Sequence, residues 1–164
     1  VDGYTTSDAY PYSQMTDLGS STKDSTTVSS ATVSSLGSQK ANYIRNSVKA
    51  TVDAYDGSVD LYVWDQSDPV IKAWEKIFPG QYHQLSDISS DLMSHMRYPE
   101  SLFKVQRELL SKYHVTSASQ YYSGEDFWQT PVDPTESQFQ QDQDILQPPY
   151  YLTLQTGGTK EPVF

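Results

Sequence analysis

The Asp56-Gly57 dipeptide constrains the fold more than any other feature of this sequence. Apolar and polar residues alternate on both sides of it, over residues 43–55 and 59–64. Asp-Gly is a preferred central pair of a two-residue type I′ turn, which joins two antiparallel strands. A turn at this pair places Val52 opposite Leu61 and gathers the apolar side chains on one face of both strands.

The same stretch also has a helical pattern, because apolar residues recur every four positions at Ile44, Val48 and Val52. Its content of β-branched and aromatic residues, together with the Asp-Gly turn, favours strands over a helix. We therefore predict a β-hairpin over residues 43–64.

The polar face of the predicted hairpin contains two acids. With a two-residue turn, Asp53 and Asp60 lie directly across from each other, and like charges at such a pair are unfavourable. Lys49 or simple solvation would relieve the repulsion, and so would a divalent cation, since hard cations prefer several oxygen ligands. The candidate metal site is therefore a calcium site formed by Asp53, Asp56 and Asp60.

Short helices are predicted after the hairpin. Asp68-Pro69 is a typical pair of N-cap and first-turn residues, and the helix that it begins has one apolar stripe that ends at Pro79-Gly80. The other predicted boundaries are Ser86 as a second N-cap, Pro99 at the start of a third helix, Thr116 as the cap of a short turn, and Gly124 as its end.

Composition divides the rest of the chain into segments. Residues 1–16, rich in tyrosine and hydroxyls, are predicted to be extended and partly buried. The Ser/Thr-rich residues 19–39 are predicted to form a flexible surface loop, and residues 129–149, rich in Gln and Asp and bounded by proline, a polar linker. Strands are predicted at residues 150–155 and 163–164.

Together these signals predict one α+β domain in 164 residues: a β-hairpin and C-terminal strands packed with three to four short helices. The chain has 21 acidic and 11 basic residues and a net charge of −10, which excludes nucleic acid as a partner. It has no cysteine, which excludes disulfides and cysteine nucleophiles. No apolar run is long enough to span a bilayer.

No catalytic constellation is recognisable. Ser20–Lys23 and Ser101–Lys104 match S-x-x-K, but its companion motifs are absent. The three histidines, His83, His95 and His114, lack the paired spacing of a zinc site, so ordinary polar roles are favoured for them. The aromatic pairs such as Tyr121-Tyr122 either form a stacking platform for a cell-wall glycan or belong to the core, and thirteen tyrosines favour the core.

Several longer strings resemble a known family. The sequence is similar to Uncharacterised Protein Family 0182 over nearly its whole length, apart from the Ser/Thr-rich loop and the polar linker. The strings that carry this resemblance are Asp2–Ser7, Tyr10–Gln14, Asn42–Ala50, Val52–Gly57, Arg97–Phe103, Tyr113–Thr116 and Pro148–Leu152.

The resemblance implies a multi-pass membrane protein typical of actinobacteria, with a block of membrane helices and a large outward-facing domain. This chain would be an extracytoplasmic piece of that domain, with the membrane-helix block and the remainder of the domain as its partners. The resemblance implies no activity, cofactor or catalytic residue, because the family has none assigned.

We therefore expect a non-catalytic binding or assembly module at the cell envelope. The alternative is a hydrolase or transferase acting on cell-envelope polymers, with a site completed by sequence absent here. A third interpretation, the outward sensor domain of a transporter, follows only from the resemblance. A piece of a domain should also expose a strand edge or apolar patch near Tyr150–Leu154, through which copies of the chain could associate.

Overall fold

The computed structural model describes residues 1–26, 36–135 and 145–153. These residues form two compact units. The described residues of the first unit are 1–22 and 36–109. Those of the second unit are 23–26, 110–135 and 145–153.

A four-stranded sheet is the centre of the first unit, with the strand order β1-β4-β5-β6. Its strands are β1 (Asp2–Ser7), β4 (Tyr43–Val52), β5 (Val59–Val63) and β6 (Tyr82–His83). All neighbouring pairs are antiparallel except β5 and β6, which are parallel. A second, two-stranded sheet pairs β2 (Thr16–Asp17) with β3 (Lys40–Ala41).

Short helices occur in the chain together with these strands and confirm the predicted α+β class. They are α1 (Leu18–Ser21), α2 (Pro69–Ile77), a 3₁₀ turn (Leu85–Asp87), α3 (Ser90–Ser94), α4 (Glu100–Leu110) and α5 (Ala118–Ser123). Helix α2 begins as predicted, because the Asp68 carboxylate accepts hydrogen bonds from the amides of Val70 and Ile71. Gly124 ends α5 as predicted, with a φ of +71°.

The predicted hairpin is confirmed, but its predicted register is wrong. Val52 pairs with Val59 and Ala50 with Leu61, a shift of two residues from the predicted pairing of Val52 with Leu61. Because side chains alternate with a period of two, this shift keeps the predicted apolar residues together on one face.

The reason for the shift is the conformation of the turn. Asp53 donates its amide to the Ser58 carbonyl at 2.9 Å, so the strands are joined by a loop of four residues, 54–57. A type I′ turn needs positive φ at both central residues. Gly57 has a φ of +76°, but Asp56 does not adopt the left-handed region.

The prediction of a strand at residues 150–155 is wrong for residues 150–153, which are the part that the structure describes. Residues 150–153 belong to no strand, and Tyr150, Tyr151 and Leu152 are all more than half exposed. Pro148 and Pro149 offer no amide donors, and aromatic β-propensity has little effect without a neighbouring strand. The apolar exposure predicted here is present, without a strand edge. Residues 154–164, including the last predicted strand, lie outside the described residues.

Two N-caps and one loop also differ from the prediction. Ser89, not Ser86, caps α3 by accepting the Leu92 amide at 3.2 Å, because residues 85–87 form their own 3₁₀ turn. Helix α5 begins after Ser117, one residue beyond Thr116. The surface loop predicted at 19–39 instead begins with α1 and continues into buried residues at 22 and 24. Residues 27–35 and 136–144 of the predicted loop and linker lie outside the described residues.

The apolar core of the first unit is small. Leu18, Ala41 and Val105 form its buried cluster, and the half-buried Leu36 and Ile44 pack against them. In strand β4, Ile44 packs against this core and is followed by the polar residues Arg45 and Asn46. Further along the strand, Lys49 Nζ donates to the Arg97 carbonyl at 3.0 Å, in the segment between α3 and α4.

Candidate functional site

A cleft of about 610 Å³ opens in the first unit beside strand β4. Its volume lies in the range of small-molecule sites, about 300–1,000 Å³. Apolar and aromatic side chains form much of its wall, and arginine, amide and carboxylate groups interrupt it. The lining residues are Ile44, Arg45, Asn46, Trp64, Asp65, Met93, Met96, Arg97, Tyr98, Pro99, Leu102 and Gln106.

A β-bulge shapes the strand side of the cleft. Gly3 pairs with Val48 and Tyr4 with Asn46, so Ser47 is an extra residue on β4. Bulges bend and twist a strand and re-aim its side chains. Glycine fits closely at position 3, because a Cβ there would lie 3.1 Å from the Cβ of Val48. The bulge lies directly after the three residues of β4 that line the cleft, Ile44, Arg45 and Asn46.

Arg45 is a firmly anchored cation of the cleft. Its Nη1 donates to Asp65 Oδ2 at 3.0 Å and to Ser67 Oγ at 2.9 Å. The guanidinium carbon lies 5.6 Å from the centre of the Tyr43 ring. The hydrogen bond to Asp65 is the main cause of a raised pKa of Arg45, which therefore stays charged. The guanidinium is thus held in one orientation.

Asp65 is the only carboxylate among the residues that line the cleft. Ser67 donates its hydroxyl to Asp65 Oδ1 at 2.6 Å and its amide at 2.9 Å. Hydrogen bonding by the Ser67 side chain, with a further contribution from Arg45, holds the pKa of Asp65 below its ordinary value. Asp65 is therefore ionised at neutral pH and unsuited to act as a general acid.

The remaining polar side chains of the cleft also make hydrogen bonds within the protein. Tyr98 donates its hydroxyl to Gln106 Oε1 at 2.5 Å. Arg97 Nη1 donates to the carbonyls of Ser94 and Met96, both at 3.2 Å. Asn46 is 7% exposed and donates Nδ2 to the Gly3 carbonyl at 3.1 Å. Its buried Oδ1 has no hydrogen-bond partner among the described residues.

Asp68 forms a buried polar cluster at the N-terminus of α2. Its carboxylate is fully buried and accepts hydrogen bonds from Thr5 Oγ1 at 2.6 Å, Ser47 Oγ at 2.5 Å and Tyr43 OH at 2.5 Å. Burial acts to raise the pKa of Asp68, but the hydrogen bonds outweigh it and hold this pKa at about 2. The cluster therefore contains a permanent buried negative charge at neutral pH.

Tyr43 connects this cluster to the cleft, because it hydrogen-bonds Asp68 and stacks against Arg45. Burial, and then its hydrogen bond to Asp68, raises the pKa of Tyr43 to about 12. The sequence predicted Asp68 only as a helix cap. Tyr43 lies 25 residues before Asp68 in the chain, so no local pattern pointed to this cluster.

The predicted calcium ligands lie at the hairpin loop and on β5. Asp53 Oδ1 accepts the Tyr55 amide at 2.7 Å, and Asp56 Oδ1 accepts the Ser58 amide at 2.8 Å. The loop amides thus occupy one oxygen of each carboxylate. The Ser58 amide is also the main cause that lowers the pKa of Asp56.

The predicted pairing of Asp53 with Asp60 is absent. In the observed register Asp60 lies opposite Thr51, and its Oδ1 is 3.3 Å from His83 Nε2 on β6. Within the described ranges, no group of three or more His, Cys, Asp or Glu residues is arranged to hold a metal ion. The like-charge pair that motivated the calcium site is therefore missing, and the site itself stays a prediction.

The three histidines lie in separate polar environments. His83 is near Asp60, and His95 Nδ1 lies 2.7 Å from the Asp91 carbonyl. In the second unit, His114 stacks on Trp128 with ring centres 4.0 Å apart, and its Nε2 lies 2.6 Å from the Asp126 carbonyl. The favoured expectation of ordinary polar contacts for the three histidines agrees with these environments.

A family sequence profile described as Uncharacterised protein family (UPF0182) matches residues 1–164. The chain belongs to this family. It is 98% identical over its whole length to a UPF0182 protein of Bifidobacterium longum, and 87% identical to one of Bifidobacterium adolescentis. A UPF0182 protein of Kocuria rhizophila is 52% identical over the same length. The cleft is therefore part of a protein family that is described as uncharacterised.

The chain spans 15% of the length of both Bifidobacterium relatives and 16% of the Kocuria protein. No solved structure matches it. In the part of the chain that the structure describes, every helix is too short or too polar to cross a membrane.

Proposed function

We propose that this chain is a non-catalytic binding and assembly module within a larger, membrane-anchored protein of the bacterial envelope, facing outwards. The observation that carries the proposal is the cleft beside β4, which combines apolar walls with charged groups but contains one carboxylate and no histidine. Sites of this composition bind ligands through shape and a few placed polar groups. We propose that the ligand is part of the cell-wall polymer outside the membrane.

The alternative, a hydrolase of envelope polymers, receives less support from the cleft. Glycoside hydrolysis uses a pair of carboxyl groups, one of which has a raised pKa so that it can act as the acid. Asp65 has a lowered pKa and is paired with Arg45 at 3.0 Å. A hydrolase would need its acid from outside the residues that line this cleft.

The assembly role is supported by the outer face of α2. Trp74 and Phe78 stack with ring centres 5.7 Å apart, yet both are nearly half exposed, and Ile77 is 60% exposed. Exposed apolar patches mark interaction surfaces. Because the relatives are about six times longer than this chain, we propose that the remainder of the same polypeptide covers this face.

Binding is tested by sedimentation with insoluble cell wall prepared from Bifidobacterium longum. We expect the chain to co-sediment without releasing soluble fragments. Met93→Trp, which enlarges a lining residue of the cleft, should lower the bound fraction several-fold. Val59→Trp is the matched control, because it adds the same side chain at an exposed position outside both the cleft and the apolar face of α2.

Two outcomes would contradict the binding proposal. Release of soluble fragments that Asp65→Asn abolishes would establish the hydrolase instead. Equal sedimentation of Met93→Trp and the wild type would remove the cleft from the binding surface.

The assembly role is tested by oxidative footprinting of the full-length relative from Bifidobacterium longum. Trp74 and Phe78 should be oxidised several-fold more slowly there than in the isolated chain. Equal oxidation rates in the two proteins would show that no other part of the polypeptide covers this face.

A further inference from the structure

Arg45 has hydrogen-bond donors that the protein does not use. Both of its side-chain hydrogen bonds come from Nη1, and its side chain is 40% exposed. Nε and Nη2 make no hydrogen bond to the described residues. These two nitrogens form one edge of the guanidinium, and that edge matches the two oxygens of a carboxylate.

The guanidinium is fixed before any ligand arrives. Asp65 and Ser67 hold Nη1, and the Tyr43 ring covers one face. Tyr43 is in turn fixed by its hydrogen bond to the buried Asp68. A pre-organised donor pair loses little conformational entropy on binding, which increases affinity.

The lining of the cleft contains more basic than acidic side chains. Arg45 and Arg97 line it together with one aspartate, Asp65, although the whole chain has a net charge of −10. The buried carboxylate of Asp68 also acts on Arg45. The two guanidinium groups are the part of the lining that attracts an anion.

Asp65 limits that ligand to a single negative charge. Its Oδ2 lies 3.0 Å from Arg45 Nη1, and its lowered pKa keeps it ionised at neutral pH. A doubly charged phosphate bound on the same guanidinium would be repelled by Asp65 more strongly than a carboxylate would.

An apolar wall is available for the body of the ligand. Trp64, Met93, Met96 and Leu102 line the same cleft. Methionine side chains are flexible and polarizable, so they adapt to rings of different shape. The ring of Trp64, with Lys49 Nζ 5.1 Å from its centre, adds aromatic surface to this wall.

We propose that the cleft binds a singly charged carboxylate attached to an apolar ring-containing body. The carboxylate lies on Nε and Nη2 of Arg45, and the ring lies against Trp64 and the methionines. This inference rests on the proposed function, because it names the chemical class of ligand that the binding cleft takes.

The test uses three small probes with the same ring: 3-phenylpropionate, its neutral amide, and 2-phenylethyl phosphate, which is doubly charged at about pH 7.5. Binding is followed by NMR through the side-chain Nε–H of Arg45 and the indole N–H of Trp64. We expect 3-phenylpropionate to shift both signals and to bind roughly tenfold more tightly than either of the other probes.

Three variants sharpen the measurement. Arg45→Lys keeps the charge but loses the paired donors, and should weaken carboxylate binding about tenfold. Lys72→Gln removes a positive charge from the exposed surface of α2, outside the cleft, and should leave binding unchanged. Asp65→Asn should reduce the difference in affinity between 3-phenylpropionate and 2-phenylethyl phosphate, because it removes the charge that repels the phosphate. Melting curves and backbone spectra of each variant verify its fold.

The outcomes separate this inference from the proposed function. Equal affinity for the acid and its amide, or unchanged binding by a folded Arg45→Lys, would overturn the carboxylate proposal while leaving the cleft as a binding site. If none of the probes shifts Trp64 or Arg45, the carboxylate proposal fails. Equal sedimentation of Met93→Trp and the wild type with cell wall would instead reject the cleft as the binding site of the proposed function.

Discussion

Aspartate side chains accept hydrogen bonds at both ends of the β4–β5 hairpin, but the two ends differ in their exposure to solvent. At the hairpin base, formed by residues 43–47 and Asp68, one carboxylate accepts backbone and hydroxyl donors and is fully buried. At the hairpin tip, residues 53–58, Asp53 and Asp56 accept loop amides in the solvent. Local hydrogen bonding is similar at both ends, and burial is what differs.

This difference decides where the stability of the hairpin comes from. Water replaces a lost hydrogen bond at the exposed tip, so each bond there contributes little to the free energy of unfolding. At the buried base water is absent, and a missing partner leaves a polar group unsatisfied at a cost of about 1–3 kcal/mol. We therefore expect substitutions at the base to destabilise far more than chemically equal substitutions at the tip.

The largest expected effect is that of Asp68→Asn. The amide cannot accept all the donors that the carboxylate accepts, so we expect a loss of about 3 kcal/mol in the free energy of unfolding, measured with urea. The matched variant at the tip, Asp56→Asn, should cause a far smaller loss, because water replaces its hydrogen bond there. Similar losses in the two variants would contradict the contrast between base and tip.

The pH dependence of stability tests the same contrast. The pKa of Asp68 is about 2 in the folded chain, below the value of about 3.9 in an unfolded one. Its contribution is therefore present above about pH 4 and is lost as the pH falls towards 2. Unfolding with urea across this window should show a steeper loss for the wild type than for Asp68→Asn. Parallel curves would mean that Asp68 is not a strong acid in the folded chain.

A smaller effect is expected for Tyr43→Phe, which removes one hydroxyl donor from Asp68. We expect a loss of about 1 kcal/mol at neutral pH. Because the pKa of Tyr43 is raised to about 12, its contribution is present below about pH 10 and is lost as the pH rises through 12. Tyr43→Phe should reduce this alkaline loss, and spectrophotometric titration of the tyrosines should lack one late-titrating group. A normal titration of Tyr43 in the wild type would contradict the cluster.

At the tip, the backbone matters more than the side chains. Gly57 has a φ of +76°, so Gly57→Ala should cost about 1 kcal/mol in thermal unfolding. Gly57→Asn should cost less, because asparagine tolerates the left-handed region. If alanine and asparagine cost the same, the loop does not require this conformation.

The smallest expected effect is that of calcium at the tip. If Asp53, Asp56 and Asp60 bound calcium, millimolar calcium would raise the melting temperature, and the Asp53→Asn, Asp60→Asn double variant would lose that rise. We expect a change of less than about 1 °C, because the loop amides and His83 already interact with these carboxylates. A rise that the double variant abolishes would establish the site.

Features with local causes could be predicted from the sequence. The cap of α2 at Asp68 and the end of α5 at Gly124 each depend on a few neighbouring residues, and both were predicted correctly. The apolar faces of the hairpin were also predicted, because they depend only on the alternation of residues. The prediction of a two-residue turn was wrong. Asp-Gly permits more than one loop length, and the packing of the strands selects among them.

The sequence by itself therefore determined the hairpin, the α+β class, the cap at Asp68 and the helix end at Gly124, because short-range backbone preferences specify them. Only the tertiary structure decided the register, the bulge at Ser47, the buried charge of Asp68 and the cleft at Arg45. Each of these depends on groups far apart in the chain: Thr5 and Asp68 are 63 residues apart, and Arg45 and Asp65 are 20 apart. Burial and long-range hydrogen bonds act on such groups only after the chain has folded, so no local pattern could reveal them.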